Sequence, residues 1–210
     1  MKKLEQIVPR ATAVELSHHY PLKDIIKNHK ALEKYQYRSF HLPKKGYAKV
    51  VKTLNRHQNK LNLQALIMHP CDIGGWRSLK NSKIPVLIEN MDNHKKSYRL
   101  PAELEALFKI HKFGLCLDVN HLKTNNQNRQ LWLKRFSQKI KQIHVAGVDQ
   151  GHYKSTLKIN NMRHALCLFD PQILKNLTVK QYPVILEGVV PPDRWDLAKQ
   201  EFELVTKHLQ

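Results

Sequence analysis

An α/β barrel of eight strand–helix units, (β/α)8, is the fold class this 210-residue sequence predicts. Short apolar runs alternate with longer amphipathic segments, the pattern of βα units on a parallel sheet. The runs end at Glu15, His41, His69, Glu89, Asp118, His144, His164 and Glu187, 20 to 29 residues apart, which is one compact unit each. With 41 % hydrophobic residues, the chain can build one TIM barrel over residues 1–210, at the lower end of the usual size.

Taken in order, the first strand covers residues 11–16 and precedes a helix over 22–35. A strand over 37–43 leads to a helix over 46–61, and a strand over 63–70 to a short helix over 76–80. The fourth strand, 84–90, is followed by a helix starting at Pro101 and running to about His111. The fifth, Phe113-Gly-Leu-Cys-Leu-Asp-Val-Asn-His121, precedes a basic helix over 127–139. Residues 140–146 form the sixth strand and 158–160 a poor seventh. Asp170-Pro171 has the form of an N-cap and first helical residue. The eighth strand covers 182–188, and a terminal helix 192–209. Trp132 and Trp195, at helical spacing among apolar neighbours, are expected in the core, and Gly74-Gly75 reads as a turn.

Composition narrows the function classes. The longest apolar runs are about six residues, far short of the roughly 20 a membrane helix needs, and the mean hydropathy is −0.54. Lys2 and Lys3 have no apolar region behind them, so no signal peptide is expected. Cys71, Cys116 and Cys167 are three and widely spaced, a reduced, cytoplasmic pattern rather than a disulfide framework. Thirty-six Lys and Arg against 17 Asp and Glu give a net charge of +19. Such a field attracts nucleic acid or phosphorylated small molecules, although lysine-rich solvated helix faces account for it equally well.

The polar ends carry the chemistry. Active sites of parallel barrels form at the C-terminal ends of the strands. Closure would bring His41, His69, Glu89, Asp118, His121, His144, His164 and Glu187 to one mouth. Imidazole and carboxylate are ligands for Zn, Mn, Fe or Mg, and such a set suits one to three divalent ions. Glu89 and Glu187 each follow four apolar residues, where a carboxylate is costly to bury unless paired or on a metal. Lys154, Lys158 and Arg163 lie in the sixth-to-seventh region, where barrels often bind phosphate.

Met68-His69-Pro70, Ile88-Glu89-Asn90, Cys116-Leu-Asp118-Val-Asn-His121, Ile143-His144 and Leu186-Glu187 together resemble the xylose-isomerase-like TIM barrels over nearly the whole chain. That superfamily includes sugar isomerases, epimerases and apurinic endonucleases of the endonuclease IV type. Resemblance to the isomerases and epimerases implies a divalent metal on Glu89, Asp118, His144 and Glu187, with His121 touching a sugar or sugar phosphate. Strands four and eight oppose each other in an eight-stranded ring. Glu89 and Glu187 would then remove and return a proton next to a carbonyl. The epimerases carry an arginine past the sixth-strand histidine where Gln150 lies here.

Resemblance to the endonucleases implies three zinc ions, with His41, His69, His121 and His164 joining the other four ligands, and DNA as partner. Their Asp-Arg-His motif reads Met162-Arg163-His164 here. A third, local resemblance, through Ile88-Glu-Asn, Gly114-Leu-Cys-Leu-Asp-Val-Asn120 and Ile143-His-Val-Ala-Gly147, is to iron-binding barrels that modify cysteines in precursor peptides. His121 stands where those have a second asparagine, and their Asp-Thr-His-Asp segment is absent. The expectation is a metal-dependent isomerase or epimerase. An apurinic-endonuclease-type hydrolase and a basic binding module without chemistry stand as alternatives.

Overall fold

A computed structural model describes residues 10–157, 163–191 and 193–209. Seven short strands form one sheet in the order β1 to β7: Ala13–Ser17, Tyr37–His41, Ala65–Met68, Val86–Glu89, Gly114–Asp118, Ile140–Val145 and Val184–Leu186. Every neighbouring pair is parallel, and β1 and β7 come together across a seam, so the sheet is a nearly closed barrel. Among the described residues no backbone hydrogen bond joins β1 to β7. Seven of the eight expected strands lie among the described residues. The expected seventh, 158–160, lies outside the described residues, and the expected eighth is β7.

Nine helices lie between or after the strands among the described residues: α1 Leu22–Lys27, α2 Tyr47–Arg56, α3 Gln58–Leu61, α4 Arg77–Lys80, α5 Pro101–Ile110, α6 Val119–Thr124, α7 Arg129–Arg135, α8 His152–Thr156 and α9 Trp195–Leu209. Their buried faces follow helical spacing. α2 buries Tyr47, Val51 and Leu54, and α9 buries Leu197, Glu201 and Val205. Glu201 binds the turn below α9 by accepting hydrogen bonds from Cys167 N (2.7 Å) and Leu168 N (3.0 Å). α5 starts at Pro101, with Glu103 Oε2 accepting from the backbone of Arg99 and Leu100, both at 2.8 Å.

Several helices are shorter than their apolar spacing predicts. The first stops at Lys27 and gives way to a 3-10 turn over His29–Leu32, and the second breaks at His57. α7 starts only at Arg129, capped by Asn128 Oδ1, because Asn126 takes the left-handed conformation (φ 53°) and interrupts the chain ahead of it. Asp170 does not cap a helix. It holds Lys123 Nζ at 2.6 and 2.7 Å and accepts from Val148 N, and only a 3-10 turn, Pro171–Leu174, follows it. Trp132 is fully buried, but Trp195 is 39 % exposed, since the buried row of α9 begins two residues later. All three cysteines are free thiols, and no described helix is long and apolar enough to cross a membrane.

The strands alternate as their pleat requires. Leu66, Met68, Val86, Ile88, Leu115, Leu117, Ile143 and Val145 belong to the large cluster that includes the buried helix residues. Their alternates Ala65, Ile67, Leu87 and Cys116, with Tyr37 against them, form a separate small cluster in the lumen. Above it the lumen is polar, with Ser39, Gln142, His144, Glu89 and Asp118 all buried.

His164 reaches the same mouth from a segment held as a bridge. Gly147 and Ala165 exchange backbone hydrogen bonds of 2.8 and 3.0 Å, and Val189 N donates to His164 O. The approach is close on both sides. A Cβ on Gly147 would lie 2.7 Å from Leu166 O, and one on Gly188 3.0 Å from Ala165 O. Gly147→Ala is therefore expected to destabilise the fold by about 1–3 kcal/mol, read as a lower urea midpoint. An unchanged midpoint would mean that the segment is not clamped.

Candidate metal centre

The barrel brings all eight predicted ligand residues together. They form three overlapping groups, in each of which one nitrogen or oxygen per residue lies within 4.8 Å of the others: His41, His69 and Glu89; Glu89, Asp118, His144 and Glu187; and Asp118, His121 and His164. Glu89 belongs to two groups and its oxygens divide between them. Oε2 lies 3.2 Å from both His41 Nε2 and His69 Nε2, while Oε1 faces His121 Nδ1 at 3.5 Å and His144 Nδ1 at 3.7 Å.

Local structure explains how each side chain is aimed. Glu89 and Asp118 end β4 and β5, and Asn90 locks those ends together. Its Nδ2 donates to Asp118 O (3.0 Å) and its Oδ1 accepts from Asp118 N (2.8 Å). Asp118 caps α6 through Oδ1, which accepts from His121 N, so Oδ2 stays free of that duty. His121 Nδ1 lies 2.7 Å from Asn90 O, to which it donates, leaving Nε2 bare at 3.2 Å from His164 Nε2. Asn120 ties the bridge below by donating to Gly147 O and Arg163 O.

The donor set fits divalent cations on its own chemistry. Asp118 Oδ2, His144 Nδ1 and Glu187 Oε2 are buried without a hydrogen-bond partner. Each lies near an ionisable neighbour without the direction of a hydrogen bond: His144 Nδ1 is 3.0 Å from Glu187 Oε1, Glu187 Oε2 is 3.3 Å from His164 Nδ1, and Asp118 Oδ2 is 3.5 Å from His121 Nδ1. Polar atoms turned into one buried space without a well-directed hydrogen bond are costly unless protons or a cation supply the charge between them.

Protons supply part of that charge. Burial opposes charging His41, but the hydrogen bond and charge of Glu89 outweigh it and raise His41 to about 9. Burial likewise opposes charging His164, which Glu187 and Asp118 raise to about 9. Burial pushes Asp118 up to about 6, against the pull of His121 and His164. Glu89 and Glu187, which burial alone would raise, are instead held low by histidines around them.

Of the predicted substrate contacts, Arg163 is exposed near the mouth, 3.6 Å from Asp92, and Lys154 is exposed on α8. Lys158 lies outside the described residues. Glu15, a predicted strand end given no site role, points into the lumen beside His144. Sequence reasoning missed Ser39 and Gln142. A signal existed, because residues two before a strand end share its lumen side, and Gln142 precedes His144 as Ser39 precedes His41.

The raised histidines set a pH dependence for the metal-free protein. Their histidinium–carboxylate pairs contribute stability that is complete below about 6.5, the ordinary histidine value, and is lost as the pH rises through about 9. The midpoint temperature without metal should fall between those values, and fall less in the His41→Gln/His164→Gln double variant. A flat profile in the unsubstituted protein would show that the pairs do not hold the mouth together.

No protein-family model and no curated protein matches the sequence. Solved structures do resemble the fold. The probable 3-DHS dehydratase AsbF, involved in petrobactin synthesis in Bacillus anthracis, aligns at TM-score 0.64 and 12 % identity over 98 % of this chain and 93 % of its own. D-Psicose 3-epimerase from Clostridium cellulolyticum H10, solved with D-tagatose, gives 0.63 and 9 % over 100 % and 92 %. A xylose isomerase domain protein from Planctomyces limnophilus gives 0.62 and 10 % over 99 % and 91 %. At such identities the likeness is one of architecture, and the chain has the fold of the xylose-isomerase-like barrels.

Proposed function

We propose that this protein is a multinuclear metal-dependent hydrolase acting on a phosphodiester, with the sugar–phosphate backbone at an abasic site of DNA as the substrate class. The observation that carries it is the division of Glu89, whose two oxygens serve two different sets of histidines. One ion would need only one set. His41, His69 and Glu89 would hold one ion, and Glu89, Asp118, His144 and Glu187 a second, with Asp118, His121 and His164 offering a third position. When bound, such ions supply Lewis-acid charge to phosphoryl oxygens and acidify the attacking water.

The chain's own residues do the rest. Asn90 fixes Asp118 and His121 relative to β4, so the groups are preorganised rather than assembled on binding. Arg163, exposed near the mouth, supplies a cation for a backbone phosphate, and the net charge of +19 favours a polyanion at long range. Metal-loaded protein should cut a duplex at a single abasic site, and Glu89→Gln should lower the rate by at least about 100-fold. No incision with Zn, Mn or Mg would exclude this activity.

The four-residue group supports a second function, isomerisation or epimerisation of a sugar or sugar phosphate. Glu89 and Glu187 reach that group from β4 and β7 and could pass a proton between opposite sides of a substrate. D-Psicose, L-ribulose and D-allulose 3-epimerases are among the fold relatives. This function predicts metal-dependent exchange of a substrate C–H proton with solvent, lost in Glu187→Gln. Exchange that persists without metal would rule it out.

A further inference from the structure

The lumen contains a fourth carboxylate that none of the three groups uses. Glu15 projects from β1, and its Oε2 accepts from Ser39 Oγ at 2.9 Å and from Gln142 Nε2 at 2.7 Å. The same oxygen lies 3.2 Å from His144 Nε2. On the other edge of that ring, Nδ1 faces Glu187 Oε1 at 3.0 Å and Glu89 Oε1 at 3.7 Å.

We propose that Glu15 is a positioning residue for His144: it accepts a hydrogen bond from Nε2–H and so fixes the imidazole with Nδ1 turned to an ion shared with Glu89, Asp118 and Glu187. This inference rests on the metal reading proposed above. A carboxylate only accepts, and carboxylates face both nitrogens here, so without metal each carries a proton; an ion among Glu89, Asp118 and Glu187 would displace the one on Nδ1, while Glu15 holds the one on Nε2. Ser39 and Gln142 converge on the same oxygen, so Glu15 is fastened where it is rather than free to swing up and bind the ion itself.

Gln142 makes the assignment sharper. Its amide nitrogen lies 2.6 Å from His144 Nε2, a hydrogen bond that requires a bare Nε2, while its own Oε1 is buried without a partner. An ion on Nδ1 excludes that tautomer. Glu15 and the amide thus compete for one nitrogen, and ion binding decides for Glu15. Ser39, Gln142 and His144 are all buried, so solvent is a poor substitute acceptor at this position.

The experiment titrates metal-free protein with Zn2+ against a chromophoric chelator, for Glu15→Ala and Glu15→Gln, each alone and combined with His144→Gln. Thermal unfolding of the metal-free variants checks that each is folded. Glu15→Ala is expected to weaken zinc binding by about 10- to 100-fold, and Glu15→Gln, which keeps an acceptor oxygen, by less. With His144 already replaced, neither should cost anything further. Imidazole 15N spectra of the zinc-loaded protein should show a protected His144 Nε2–H that exchanges freely in Glu15→Ala. Unchanged affinity, or the same fold-loss with and without His144, would overturn the assignment, the latter because Glu15 would then act through charge or folding alone. Should Glu15→Ala not fold, the Glu15→Gln cycle decides by the same comparison. A wild-type chain that binds no zinc would defeat the metal reading itself, and the inference with it, a result distinct from either of these.

Discussion

Glu89 is 1 % exposed, and both of its oxygens are turned toward imidazoles. Removing a carboxylate from water costs several kcal/mol even after relaxation, and mutual attraction offsets this only when the geometry is good and the remaining lone pairs are filled. Glu15, Asp118 and Glu187 crowd the same lumen, so the cost recurs at close range. The mouth is therefore stable only when enough positive charge accompanies these groups. His41, His144 and His164, all raised by the carboxylates beside them, supply it as protons, and divalent ions would supply it as metal.

The same constraint explains why so much backbone is committed to aiming side chains. Asn90 substitutes its amide for the strand ladder where β4 and β5 have ended, and passes the alignment on to His121 through its carbonyl. His164 has no strand among the described residues to carry it, and depends on the two-hydrogen-bond bridge between Gly147 and Ala165. Both devices act on backbone positions, so the side chains at the mouth keep their lone pairs for one another.

Much of this was legible in the sequence, and the pattern of what was not has a physical cause. Polar residues closing apolar runs marked His41, His69, Glu89, Asp118, His144 and Glu187, because a charge is seldom buried at a strand end unless a counter-charge or an ion meets it there, while His121 and His164 were found only by their nearness to such ends. The placing of His164 was less legible: the expected strand over 158–160 lies outside the described residues, and the bridge between Gly147 and Ala165 holds the segment that carries this histidine. Helix lengths were overestimated where the chain leaves helical geometry, at His57 (φ −103°) and at the left-handed Asn126 (φ 53°), since apolar spacing carries no information about such local breaks. Trp195 was misplaced because helical spacing assigns a face but not the point where the helix begins. The lumen residues Ser39 and Gln142 were hidden for the opposite reason. They are single polar residues inside strands, without the sharp apolar-to-charged edge that marks Glu89 and Asp118.

The seam between β1 and β7 gives the barrel an uneven rigidity. Every residue of β1 is only partly buried, while β3 and β4 are buried throughout, and a cavity of about 890 Å3 lies between the seam and α9. Local opening follows the regions with the fewest buried contacts. β1 is thus the strand whose amides exchange with solvent first, and it is the strand that carries Glu15. The deepest support of the mouth rides on its least constrained wall, so breathing of the seam would alter His144 without disturbing β4 or β5.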